Sequence, residues 1–87
     1  MSYQEYFAGP LDPYEMRRRF PEWWAGYLRA HYRGDERLIA LVFGVTAATA
    51  TNWLAEACAP RADAVAFEDA AHPGRLTAWI ADRRRAA

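Results

Sequence analysis

The chain has 87 residues, with eleven basic side chains, all arginine, against eleven acids, for a formal net charge of zero. This length suits one small domain, and the charge balance lacks the basic excess usual in a nucleic-acid binder. The single cysteine, Cys58, excludes an internal disulfide and fits a reducing, cytoplasmic setting.

No basic start leads into an apolar stretch with a small-residue cleavage site, so no signal peptide is expected. No run approaches the roughly eighteen apolar residues of a membrane span. Ala, Leu and Trp recur at helical spacing, which points to an all-α protein of five to six helices.

Residues 1–11 read as an arm. Tyr3, Tyr6 and Phe7 are its anchors, and Gly9-Pro10 argues against regular structure. Asp12 is placed to cap a helix, Pro13 suits the first helical position, and Glu15 stands where a capping-box acid reaches back. Pro21 disfavours a helical conformation at Phe20, so this first helix is predicted to be short. The chain then divides into an arm with a short helix (1–19) and a helical domain (20–87).

Pro21 is predicted to open a longer helix reaching about Tyr32. Phe20, Trp23, Trp24, Tyr27, Leu28 and His31 form its apolar stripe, and Glu22, Arg29 and Arg33 lie opposite. The stripe reads as core, and His31 at its edge as structural. Arg33-Gly34-Asp35 closes that helix and caps the next.

Residues 35–56 carry the most specific signal. Leu38, Ile39, Val42 and Phe43 are spaced as one buried helical face. Gly44 follows where a chain leaving a helix takes positive φ, Val45 is a buried turn residue, and Thr46 can cap a second helix over 46–57. The apolar set of that helix is Ala50, Trp53, Leu54 and Ala57. Small Ala40 opposite Ala50 allows a close, steep crossing.

Downstream, a helix from about Arg61 to Ala71 has Val65, Ala66 and Phe67 as its apolar residues. His72-Pro73-Gly74 breaks it. A last helix, from Arg75 to about Arg84, buries Leu76, Trp79 and Ile80.

The segment IALVFGVTAATATNWL resembles the helix-turn-helix of the lambda-repressor and Cro-like DNA-binding superfamily, and in particular that of small phage-type regulators. Ile39, Ala40, Phe43, Gly44, Val45, Ala50 and Trp53 match in order and spacing. Ala50 departs from the usual Val or Ile, and bulky Trp53 can fill the space. The match covers about a quarter of the chain. It implies a small lambda-repressor-like bundle acting as a sequence-specific transcriptional regulator of phage or mobile-element type, with double-stranded DNA as partner.

By that resemblance the helix 46–57 enters the major groove. Thr46, Ala47, Ala48, Thr51 and Asn52 then reach the bases. Asn52 suits adenine, and the lack of an arginine on this face leans the site toward A·T pairs. Arg17, Arg18, Arg19, Arg33, Arg37 and Arg61 are the candidate phosphate contacts, although a run such as 17–19 also reads as a solvated face. A homodimer through Leu76, Trp79 and Ile80 is expected, unless those residues only complete the core.

No catalytic constellation, cofactor or metal is expected. The chain has two histidines, no Gly-rich phosphate loop and no Cys/His cluster, and Cys58 reads as a buried structural thiol. The other reading is a protein-interaction module on the same scaffold, such as an inhibitor, adaptor or antitoxin-like partner. Neutral charge and abundant aromatics favour it, as does the net charge of minus two between Asp35 and Cys58 (Asp35, Glu36 and Glu56 against Arg37).

Overall fold

A computed structural model describes residues 12–86; the expected anchors Tyr3, Tyr6 and Phe7 lie outside these. Every regular element among the described residues is a helix: α1 (Pro13–Tyr32), α2 (Glu36–Phe43), α3 (Ala47–Leu54), α4 (Ala62–Ala71) and α5 (Arg75–Ala86).

The first helix corrects the sequence expectation. One 20-residue helix runs through Pro21, where two had been expected, and carries the chain unbroken across positions 19 and 20. An internal proline loses a hydrogen bond and crowds the preceding turn, at about 3 kcal/mol. Packing on both sides of the proline offsets that cost. Met16 and Phe20 lean on the core before it, and Trp23, Trp24, Tyr27 and Leu28 are buried after it. The Asp12 side chain caps the helix by accepting from the Tyr14 N–H at 2.9 Å. Glu15 does not close a capping box, because its carboxylate accepts from Arg84 Nε at 2.9 Å and so ties α1 to α5.

Helix α1 is the axis on which the others are laid. Trp24 is fully buried, its ring stacked on Phe20 and Tyr27 and met edge-on by Phe43 and Trp53 at 5.5 and 5.6 Å. Gly26 lets α5 approach closely, since a Cβ there would stand 3.1 Å from the Trp79 ring. Trp79 is half-buried, and its indole N–H donates to the Trp23 carbonyl at 3.2 Å.

Leu76 and Ile80 are buried in the chain's own core. This agrees with the alternative in which they complete the core, and it takes Leu76 and Ile80 out of a dimer face. Only Trp79 of the three keeps substantial surface.

In α2 the core position is Ile39, with Ala40, Val42 and Phe43 half-buried. Leu38, expected inside, is 36% exposed, and Leu41 is 80% exposed. Small Ala40 packs against the core, and Leu38 lies on the outer side of the helix. Helix α3 ends at Leu54, three residues before the expected end. The chain leaves it through Glu56 at φ 61°, which puts Ala57 on the surface. Cys58 is exposed in the loop that follows, not buried as expected.

Helix α4 departs furthest from expectation. Ala66 and Phe67 face outward, Val65 is half-buried, and the deepest side chain is Glu68, with no exposed surface. Tyr27 and Tyr32 on α1 both donate their hydroxyls to this carboxylate. Arg75 at the start of α5 adds a salt bridge to it at 3.1 Å and donates from Nε to the Tyr27 oxygen at 2.9 Å. Three helices are thereby joined through one acid. Burial, then the bond to Glu68, pushes the Tyr27 phenol up to about 12 and raises that of Tyr32 as well.

Candidate nucleic-acid interface

Helices α2 and α3 are joined by three residues, 44–46, and the second axis turns 116° from the first. Each part of the turn has a local cause. Gly44 takes φ 65°, a left-handed conformation that disfavours a Cβ, and nothing lies within 4 Å of where one would stand. Its cost to another residue is therefore backbone strain alone. The Val45 N–H donates to the Ala40 carbonyl at 3.0 Å, closing the end of α2.

Thr46 caps α3 through its hydroxyl oxygen, which accepts from the Thr49 N–H at 3.1 Å. At the start of α2, the Asp35 carboxylate accepts from the N–H groups of Arg37 and Leu38. With Ala50 and Trp53 buried against α1, the α3 surface is fixed by its opposite side.

That surface holds the expected base-reading set. Ala47, Ala48, Thr51 and Asn52 are all exposed on α3, and Thr46 is exposed at its cap. The set is not uniform. Thr46 is occupied in capping and bonds Thr49 Oγ1 at 3.0 Å. The Thr51 hydroxyl faces two acceptors at 2.9 Å, the Ala47 carbonyl and Glu36 Oε2. The Asn52 side-chain amide makes no hydrogen bond to another described residue, which leaves its donor and acceptor available.

The arginines do not form one group. Arg33 and Arg37 flank the α2 start, Arg33 in a left-handed cap conformation at φ 60°. Arg61 precedes α4 and lies 3.8 Å from Asp63, with both side chains largely in solvent. Arg17, Arg18 and Arg19 lie on the first half of α1, about 22 Å from Arg33 along the axis at 1.5 Å per residue.

Within the 17–19 run, Arg17 stacks over Tyr14. Arg19 covers Trp23 and pairs with Glu22 at 3.6 Å. The Glu15–Arg84 bond links this end of α1 to the C-terminal arginines of α5, and Arg83 lies 4.2 Å over the Trp79 ring. Arg84 is thus brought to the Arg17–Arg19 end of α1, remote from the α2 start, whereas Arg83 lies with Trp79 against the middle of α1.

Two contributors were not anticipated. Arg29 donates to the Leu54 carbonyl and caps α3 at its C-terminal end, where a cation also meets the negative end of the helix dipole. Its place on the polar side of the aromatic stripe was legible, but its reach to α3 was not. Glu36 sits beside Thr51 across fifteen residues of sequence, a juxtaposition without a local signature. It brings a carboxylate to the edge of the α3 surface.

Compared with protein-family models, with curated proteins and with solved structures, the chain has no significant match.

Proposed function

We propose that residues 35–56 act as a helix-turn-helix and that the protein is a sequence-specific DNA-binding regulator that inserts α3 into the major groove. The observation that carries this reading is the 116° turn between α2 and α3, which falls in the range typical of such motifs. The second helix also presents a small, polar outer face. Ala47 and Ala48 permit close approach to the groove, and Asn52 can form a bidentate contact with adenine. The helix N-terminus has no acidic residue in its first turn to repel phosphate. A lambda-repressor-like arrangement and a two-fold operator belong to the same proposal. With Leu76 and Ile80 in the core, any dimer would have to use other surface, with Trp79 at its edge.

A second reading, a protein-interaction module on this scaffold, draws on Glu36 and Asp35 at the α2 start, where a DNA binder favours cations. Exposed Leu41 and Phe67 are additional apolar surface for a partner. Selection from a random duplex library at low salt separates the two readings. The DNA reading expects an enriched site that Asn52→Ala weakens by about 1–3 kcal/mol, with little change in non-specific binding. A library that returns no preferred sequence, with retention insensitive to salt, leaves the protein-interaction reading standing.

A further inference from the structure

Glu36 and Thr51 form the one side-chain bond across the α2–α3 corner among the described residues, and it lies on the surface assigned to the bases. A threonine hydroxyl has one hydrogen and two lone pairs. The Thr51 hydrogen has two internal acceptors at 2.9 Å, Glu36 Oε2 and the Ala47 carbonyl, so it is engaged with or without DNA. What Thr51 offers outward is lone pairs. An ionised carboxylate likewise only accepts. The pair is therefore a patch of acceptors at the rim of an otherwise small and neutral helix face.

We propose that Glu36 and Thr51 together read a base bearing an exocyclic amino group, with cytosine preferred. The proposal rests on the DNA-binding reading and deepens it. In the major groove only cytosine N4 and adenine N6 donate, whereas guanine N7 and O6 and thymine O4 accept. An acceptor-only pair attracts the first two and repels the others. Adenine N6 stands between two acceptors, its own N7 and the paired thymine O4, which oppose the second carboxylate oxygen, whereas cytosine N4 has an acceptor, guanine O6, on one side only.

The same negative charge disfavours the phosphate backbone everywhere. Glu36 thereby lowers non-specific affinity while rewarding one base, which is specificity by exclusion. The acidic α2 start becomes part of the reading surface, and the expected A·T preference gains one C·G position.

Parallel selections from a random duplex library test this, using the full chain as wild type, Glu36→Gln, Thr51→Ala and Thr51→Ser. The wild type is expected to enrich cytosine at one position by about tenfold over guanine or thymine. Glu36→Gln should lose that preference while binding random duplex as well or better, because the amide adds a donor and removes the charge. Thr51→Ser should keep the preference and Thr51→Ala should reduce it. A Glu36→Gln profile that changes affinity equally for all sequences would overturn the proposal while leaving DNA binding intact, since Glu36 would then act only as a field charge. Failure of the wild type to enrich any sequence would overturn both.

Discussion

Replacement of Glu68 by alanine is expected to destabilise the fold by about 2–5 kcal/mol, chiefly because two buried tyrosine hydroxyls lose their acceptor at about 1–3 kcal/mol each. A domain of this size has a total stability on the order of 4–13 kcal/mol, so the variant should lie near the edge of folding. The loss has two sources. The Tyr27 and Tyr32 hydroxyls lose their acceptor and the Arg75 guanidinium loses its carboxylate, which removes the bonds that tie α4 to α1 and α5 through this acid. Glu68→Gln keeps the shape and one acceptor, so it should fall between the alanine variant and the wild type. Urea unfolding checks the series, and a Glu68→Ala midpoint equal to the wild type's would contradict the role assigned to this acid.

The same network gives a pH dependence. The Tyr27 phenol is raised from 10 to about 12 by burial and by its bond to Glu68, and Tyr32 is raised likewise. In the pH range above 10 the folded state holds protons that the unfolded chain has released. Stability from these groups is therefore complete below pH 10 and declines as pH rises toward and through 12. Glu68→Ala should lessen that alkaline decline without abolishing it, because burial is the larger cause of both shifts.

The second large effect is expected at Trp24. Trp24→Ala should cost about 3–5 kcal/mol, as aromatic-to-alanine changes in cores do. It removes the ring on which Phe20, Tyr27, Phe43 and Trp53 converge. Phe43 and Trp53 belong to α2 and α3, so the cavity opens directly beneath the proposed reading surface.

Trp24→Phe should be much milder. The Trp24 indole N–H is buried without a partner among the described residues, and a buried donor left unbonded costs about 1–3 kcal/mol. Phenylalanine removes that donor while keeping much of the aromatic contact. Thermal unfolding of both variants tests the argument. Equal losses for Phe and Ala would contradict it, since aromatic contact that phenylalanine keeps would then count for nothing and only the full indole would hold the site.

The parts legible in the sequence are those set by near neighbours. Asp12, Asp35 and Thr46 cap helices as their types and positions predict, and Gly44 takes the left-handed conformation the turn requires. The apolar stripe of α1 was plain because Phe20, Trp23, Trp24, Tyr27 and Leu28 repeat at helical spacing, although His31 at its edge is exposed and Tyr32 takes the buried place. Pro21 was misread because a local preference was weighed without the packing on either side of it.

Leu38 and Phe67 were misassigned because hydrophobic type was taken for burial, whereas the helix crossings decide which side turns inward. Glu68 was illegible for a similar reason. Its partners are seven, thirty-six and forty-one residues away, and an acid on a helix with weak apolar periodicity reads as solvated. In the candidate site the α3 face was legible from its register with Gly44. The Glu36–Thr51 bond and the separation of Arg17–Arg19 from Arg33 both depend on the three-dimensional course of the chain.

The most direct test of the central claim is a two-dimensional amide spectrum of the labelled chain, recorded while the selected duplex is added. The proposed function predicts that the largest shifts fall on residues 46–52 and at the start of α2, from Arg33 to Arg37. A second, sequence-independent set at Arg17–Arg19 should weaken as salt rises. Shifts confined to the arginine-rich end of α1 and α5, with residues 46–52 unmoved, would contradict insertion of α3 into the groove.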